Sequence, residues 1–421
     1  MKTLLKNCKI VNYDKITEGN ILINNDIIED ITTENIKVDK EYDCSGKYVL
    51  PGLIDIHSHM REPGFEYKED ITSAGMAAVA GGITSACCMA NTKPVIDNAA
   101  IAQYIINKSK NDGLFDALPY GAVTKGLKGE ELTEMGDLFE HGVCGFSDDG
   151  YTIMNAEVMR RALEYVRHFG SYISVHAIDT NLQGHGHINE GKISAMNGLT
   201  GIPSESESVI IARDIMLARL TKSRVHISHV SSKAAVDIIR WGKNEGVDVT
   251  AEATPHHFTL TDENCLNFDT NFKMSPPLRE EKDIEAILNG FKDGTIDCIS
   301  TDHAPHQEDE KFVEFGLAPV GIIGYQTAIP LTIKRIHEGI LNWTDFARLM
   351  SYNPAKILKK DKLGSLAKGM KADIVVIDDN VEYVYTKEMN KSKSINTPFL
   401  NKTLKGKAIY TFKNGNLVFQ A

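Results

Sequence analysis

Apolar and polar residues alternate near both ends of the chain, whereas apolar residues run together in its middle. LLKNCKIVNY, GNILINNDIIEDI and DCSGKYVLP, all near the N-terminal end, carry the period-two pattern of short strands punctuated by Gly, Asn and Asp. ADIVVIDDN, KAIYTFKNG and NLVFQ near the other end read the same way, and Lys413-Asn414-Gly415-Asn416 contains the dipeptide of a tight hairpin. The pattern predicts one small β-sandwich-like domain assembled from both termini, residues 1–51 and 363–421, with a larger domain, 52–362, inserted between them.

In that larger domain short apolar runs alternate with helical patterns, the signature of βα units and a parallel sheet. Eight runs read as strands: GLIDIHSH (52–59), ITSACCMA (83–90), DALPYGAVT (116–124), VCGFSDD (143–149), YISVHA (172–177), RVHISHV (224–230), DVTAEATPHH (248–257) and IDCISTDHAP (296–305). Amphipathic stretches such as AEVMRRALEYVRHFG (156–170) and KAAVDIIRWGKNEG (233–246) lie between them. Eight such units over this length predict an α/β fold, the (β/α)8 TIM barrel. Ile71 to Thr92 carries no charge and is long enough to span a bilayer. Its Gly75, Gly81 and Gly82 and its many small residues favour a buried helix running into a buried strand instead.

Composition narrows the function. The 421 residues are 42% hydrophobic and 24% charged, with a formal net charge of -11. An acidic chain lacks the basic face that nucleic acid or an anionic membrane surface requires. The seven cysteines, Cys8, Cys44, Cys87, Cys88, Cys144, Cys265 and Cys298, are scattered and form no C-x-x-C. They read as reduced thiols, and MKTLLKNCKIVNYDK has too short an apolar run for a signal peptide, so a cytoplasmic protein is expected.

The polar residues at the ends of the apolar runs carry the chemistry. His57 and His59 end the first, Asp149 the fourth, His176 the fifth, His229 the sixth and Asp302 the eighth. All should reach the C-terminal mouth of the barrel, where active sites are built. On a strand, residues i and i+2 face one side, so the two imidazoles of an H-x-H converge on one ion. A bare H-x-H is more often a polar strand end, but Asp55-Ile56-His57-Ser58-His59-Met60-Arg61 adds a carboxylate and an arginine. A lone strand-end histidine is more often structural; His176 and His229, joined to the H-x-H and a late aspartate, complete a two-metal set. Nitrogen and oxygen ligands without thiolate favour zinc, with manganese or cobalt as alternatives. Asp149 is the carboxylate suited to bridge two cations, and Asp148 beside it faces the other way. Asp302, in Ser300-Thr301-Asp302-His303-Ala304-Pro305-His306, can take a proton from a metal-bound hydroxide and return it to a leaving nitrogen. A buried structural aspartate is the alternative there. His185 and His187 imitate an H-x-H in a Gly-rich loop and read as surface residues; His226 reads as packed under a helix, and His256 and His257 as structural.

DIHSHMR, FSDDG, SVHA, HISHVSS, EATPHH and TDHAPH, in this order, resemble the metal-dependent amidohydrolase superfamily, and within it the bacterial type I dihydroorotases. T-D-H-A-P-H-x4-K, closing at Lys311, Asn91-Thr92-Lys93-Pro94 and Ser275-Pro276-Pro277-Leu278-Arg279 add to the likeness, which covers nearly the whole chain. The resemblance implies reversible closure of N-carbamoyl-L-aspartate to L-dihydroorotate in pyrimidine synthesis. It implies two zinc ions per subunit, held by His57, His59, Asp149, His176, His229 and Asp302 and bridged by Asp149 and a hydroxide, with Asp302 catalytic. It further implies substrate contacts at Arg61, Asn91, Ser275, His306 and the backbone of Val320 and Gly321, a homodimer, and association with aspartate transcarbamoylase. Hydantoinases, allantoinases and some dihydroorotases bridge their metals with a carboxylated lysine on the fourth strand; here that strand is VCGFSDDG, without lysine. Departures from the usual pattern are Ser275 for Asn, Ala90 for Pro, Ala177-Ile178 for Cys-Glu and Val320 for an aromatic residue, which puts substrate affinity in question rather than the reaction class. Residues 307–318, QEDEKFVEFGLA, read either as a mobile lid or as a fixed surface loop.

Overall fold

The computed structural model describes residues 1–34 and 36–421. Its middle is a closed ring of eight parallel segments, the predicted (β/α)8 barrel. Leu53–Asp55, Ile83–Cys88 and Asp116–Pro119 pair in one run. Tyr172–Val175, Arg224–Ile227, Val249–Ala253 and Cys298–Ile299 pair in another. The fourth segment is only a bridge, where Phe146 pairs with Gly121 on one side and Ile173 on the other. The ring closes where the amide of Asp302 donates to the His57 carbonyl at 2.9 Å and that of His59 to the His303 carbonyl at 2.8 Å.

The strands are shorter than the apolar runs that predict them. Pairing stops at Asp55, Val175, Ile227 and Ile299, and the candidate site residues follow in irregular backbone. Arg61, His229 and Asp302 have φ of 63°, 35° and 48°, in the left-handed region that ordinary residues avoid and that cannot continue a ladder. Such strain persists only where surrounding contacts hold it, and it clusters at functional sites.

Helices coat the ring for the reason the pattern gives. In Ala156–Arg167 the buried residues are Met159, Ala162, Leu163 and Val166, one stripe at helical spacing. Arg160–Glu164 and Arg161–Glu157 pair across one turn on the wet side. Asn155 caps the first turn by accepting from the amides of Glu157 and Val158. The uncharged stretch after residue 70 resolves into helix Ile71–Ala80, started by Asp70 and Ser73 in a reciprocal cap, and the buried strand Ile83–Cys88. Inside the ring, Ile54, Ile56, Cys87, Met89, Tyr120 and Tyr172 pack together, closed at the strand N-terminal ends by Ala355, Ile357 and Leu358. The barrel floor is therefore filled by side chains, and the polar residues gather at its opposite mouth.

Both termini build one sheet. Tyr48–Pro51 pairs with Lys2–Val11 on one edge and with Ile374–Val384 on the other, which joins N-terminal to C-terminal strands. Leu5, Ile10, Ile21, Val49, Ile374, Val376 and Phe412 form its core. Thr403–Lys413 and Asn416–Gln420 make the expected hairpin, with Asn414 and Gly415 at φ of 47° and 73° as a two-residue turn demands. Residues 385–402, between two strands of this sheet, leave it and reach the barrel mouth: the Ser394 hydroxyl donates to the Lys68 carbonyl at 2.8 Å.

Candidate active site

Six side chains converge at the mouth. His57 Nε2 lies 3.3 Å from Asp149 Oδ1, and His59 Nε2 lies 3.0 Å from Asp302 Oδ1 and 3.5 Å from Asp149 Oδ2. His176 Nδ1 is 2.8 Å from His229 Nε2 and 3.6 Å from Asp149 Oδ1. Three overlapping triads result: His57, His59 and Asp149; Asp149, His176 and His229; His57, His229 and Asp302. Within each, the ligand atoms lie within 4.8 Å of one another, and all six residues are buried.

The electrostatics of the cluster fit a cation. Burial opposes a charge on His57, yet Asp149, Glu252 and Asp302 outweigh it and hold the imidazole well above its ordinary range. Burial would raise Asp149, but His57, His176 and His229 hold it well below the usual carboxylate range. His57 Nε2 and Asp149 Oδ1 are both buried without a hydrogen-bond partner. An unpaired buried polar atom costs about 1–3 kcal/mol, a penalty that a shared cation removes. Histidine nitrogens and carboxylate oxygens without thiolate are the donor set for zinc or a similar divalent ion.

The candidate substrate contacts surround this cluster. Asn91 Oδ1 sits 3.1 Å from His59 Nδ1, and its Nδ2 donates to the Asp149 carbonyl at 3.2 Å. Arg61 Nε donates to the Pro305 carbonyl at 3.0 Å, and its terminal nitrogen lies 3.2 Å from His306 Nε2. That same imidazole nitrogen is 3.0 Å from the Val320 carbonyl. Burial, helped by Arg61 and Lys68, pushes His306 far below its ordinary range, so it is neutral. Gly321 is buried at φ 99°, and its amide donates to the Lys273 carbonyl at 2.9 Å. Ser275 is half-buried and makes no hydrogen bond to these groups among the described residues; the carbonyl of its neighbour Pro276 lies 2.9 Å from His257 Nε2.

Residues 307–318 are tied down at several points. Lys311 is buried and its ammonium donates to the carbonyls of Pro319 and Gly321 at 2.8 and 3.1 Å. Lys273 donates to the Gly316 carbonyl at 2.8 Å, and Phe315 is buried. Phe312 and Leu317 stand in solvent, 91% and 76% exposed.

One expectation fails. His226 does not pack under a helix: its Nε2 is 3.3 Å from Glu252 Oε2, its Nδ1 2.8 Å from Thr250 Oγ1, and its ring meets Tyr172. Irregular backbone at His229 breaks the alternation from which the outward direction follows. The same contact reveals a residue not singled out from the sequence. Glu252, buried on strand Val249–Ala253, places Oε1 2.6 Å from His57 Nδ1, behind the nitrogen that faces Asp149. A carboxylate inside a buried strand needs a partner, and that was the available signal. Asp148 turns away as expected and accepts from the amides of Val123 and Thr124 at 2.7 and 3.0 Å, with burial pushing it up to about 6.

Known proteins resemble the chain in sequence and in fold. A family model described as Dihydro-orotase-like matches residues 46–235. The dihydroorotase of Trichlorobacter lovleyi is 52% identical over 377 residues, covering 90% of this chain and 88% of that protein. That of Endomicrobium trichonymphae is 46% identical over 429 residues, covering 100% of each. In fold the chain is similar to the L-hydantoinase of Arthrobacter aurescens, with a TM-score of 0.90 at 22% identity over 99% of this chain and 96% of that one.

Proposed function

The chain belongs to the dihydroorotase family of the amidohydrolase superfamily, and from that premise we propose that it catalyses the reversible closure of N-carbamoyl-L-aspartate to L-dihydroorotate in pyrimidine biosynthesis. The observation that carries the reading is the convergence of six ligand-type side chains around two buried atoms without partners, His57 Nε2 and Asp149 Oδ1. We read His57, His59, Asp149, His176, His229 and Asp302 as the residues that would hold two zinc ions, Asp149 being the carboxylate common to two of the ligand triads. Bound there, such ions polarise a carbonyl and make water acidic enough to act near neutral pH.

The chain's own residues supply the rest. Arg61 offers its planar fork to the substrate α-carboxylate, and Asn91 shares that group. Spending Nε on the Pro305 carbonyl fixes the plane of the fork. Neutral His306 faces the ring with the backbone of Val320 and Gly321 and adds no charge of its own. Ser275, with a shorter reach than the asparagine usual in relatives, stands beside the ring. In hydrolysis, water adds to the ring amide carbonyl while Asp302 takes its proton and passes it to the leaving ring nitrogen. In synthesis, the ureido nitrogen attacks the β-carboxyl carbon, Asp302 takes the nitrogen's proton and gives it to the departing carboxyl oxygen, and the C–O bond breaks with release of water. Asp302 is ionised and so free to accept a proton: burial opposes its charge, but His57, His59 and His229 hold it below the usual carboxylate range.

The chemistry of the bridge separates this reading from other cyclic amidases: Asp149 stands on the fourth segment where a lysine would otherwise be carboxylated. We propose further that residues 1–51 with 363–421 and residues 52–362 are the two domains, and that the family likeness extends to a homodimer and to association with aspartate transcarbamoylase. Seven free thiols suit a reducing, cytoplasmic compartment. The test is turnover of dihydroorotate, hydantoin and allantoin by wild type and by Asp302→Asn. Dihydroorotate alone should be turned over efficiently, and the variant should lose roughly 10²–10⁴-fold in kcat with metal content retained. Preference for hydantoin, or a metal-loaded variant with near-wild-type turnover, contradicts the proposal.

A further inference from the structure

We infer that Asn396, delivered by the segment of the terminal β-domain that crosses the barrel mouth, is a positioning residue that sets the substrate-facing wall formed by His306 and Gly321. The inference rests on the proposed function, since it takes His306, Val320 and Gly321 as the ring-facing groups.

Asn396 is buried and lies far from the other site residues in sequence. Its Nδ2 donates to the carbonyls of Ala304 and Gly321 at 2.9 and 3.2 Å, and its Oδ1 accepts from the His306 amide at 3.0 Å. Its own carbonyl accepts from the Ile323 amide at 3.0 Å. The amide orientation follows from its partners: two carbonyls can only accept, and a backbone amide can only donate. One side chain thereby holds the stretch after the last barrel strand against the returning stretch at 321–323. These are the two backbones between which the His306 ring meets the Val320 carbonyl.

The holder is itself anchored on the loop that follows the first barrel strand, the neighbour of the last where the ring closes. The Ser392 hydroxyl bonds the Glu69 carboxylate, Ser394 Oγ donates to the Lys68 carbonyl at 2.8 Å, and Lys393 Nζ donates to the Glu66 carbonyl at 3.0 Å. Those residues follow the first barrel strand, whose end carries His57, His59 and Arg61. The segment therefore ties together the two adjoining loops that carry Arg61 and His306. Lys311 shares the Gly321 carbonyl but reaches it from within the same loop, so it does not fix that loop against the one after the first strand. Asn396 supplies that reference from outside both loops, alongside the direct contacts of Arg61 with the Pro305 carbonyl and of Gln307 with the Tyr67 carbonyl.

The experiment compares wild type with Asn396→Asp, Asn396→Ser and Asn396→Ala as metal-loaded full-length enzymes. The aspartate keeps the acceptor for the His306 amide but sets a carboxylate against two carbonyls; the serine is the mild truncation. KM for dihydroorotate and for N-carbamoyl-L-aspartate is expected to rise at least tenfold in the aspartate and alanine variants and less in the serine variant. kcat should stay within about threefold, with metal content unchanged. Amide exchange should quicken at residues 304–306 and not in the barrel strands. Folded variants with wild-type KM overturn the inference, as does a fall in kcat alone. Failure of all three variants to fold also overturns it, because Asn396 is then a structural residue. Absence of dihydroorotate turnover by wild type refutes the proposed function instead and is read from the same plate.

Discussion

Replacing Glu252 with glutamine should loosen the metal centre without unfolding the barrel. Glu252 Oε1 lies 2.6 Å from His57 Nδ1, and Oε2 lies 3.3 Å from His226 Nε2, in a fully buried setting. Burial opposes the carboxylate charge, yet His57 and His226 hold it far below the ordinary range. In the loaded enzyme His57 would donate its Nδ1 proton to this carboxylate, which raises the basicity of the nitrogen facing the metal. Glutamine keeps the shape and can still offer an oxygen to His57 and an amide to His226. What it loses is the charge, and charge-assisted hydrogen bonds are about twice as strong as neutral ones. Loss of such a partner behind a ligating histidine weakens metal binding by roughly 10–100-fold, or about 1.4–2.8 kcal/mol. Competition of apo protein with a coloured zinc chelator measures this directly, and apo thermal unfolding serves as control. Unchanged zinc affinity with unchanged turnover in Glu252→Gln would refute the reasoning.

Acid should destabilise the apo protein through its buried neutral histidines. Burial pulls His256 down to about 4 against 6.5 in the unfolded chain. Its contribution is complete above pH 6.5 and is lost as pH falls from 6.5 through 4, up to roughly 3 kcal/mol. Urea unfolding at pH 7 and pH 4 should show this loss in wild type and a smaller one in His256→Gln. Gly321→Ala should raise KM by about tenfold with metal content retained. The new Cβ meets the Ala304 Cβ at 2.7 Å, and φ of 99° disfavours any side chain by about 1–2 kcal/mol. Steady-state kinetics with metal analysis check that outcome.

The barrel was legible because each strand must be apolar on both faces and each helix on one, so the period switches between them. The ligands were legible for a related reason: His57, His59, Asp149, His176, His229 and Asp302 are polar groups ending apolar runs, where a core would reject them. Their directions were less so. Alternation holds only while the ladder continues, and the left-handed backbone at His229 and Asp302 ends it. That is why His226 meets Tyr172 and Glu252 rather than a covering helix. Glu252 sits inside the motif EATPHH, but its role depends on His226 on the adjacent strand and His57 across the barrel, a fact of tertiary placement rather than of local pattern. Asn396 was illegible for a stronger reason, because its partners lie 75 to 92 residues away and are backbone atoms that carry no sequence signal.

The most direct test pairs metal content with dihydroorotate hydrolysis in one preparation, before chelation, after it and after zinc is restored. The account predicts about two zinc ions per chain and turnover that falls to background as both are removed. It also predicts that turnover returns with them. Full turnover in the metal-free protein, or a zinc-loaded protein that leaves dihydroorotate untouched, would contradict it.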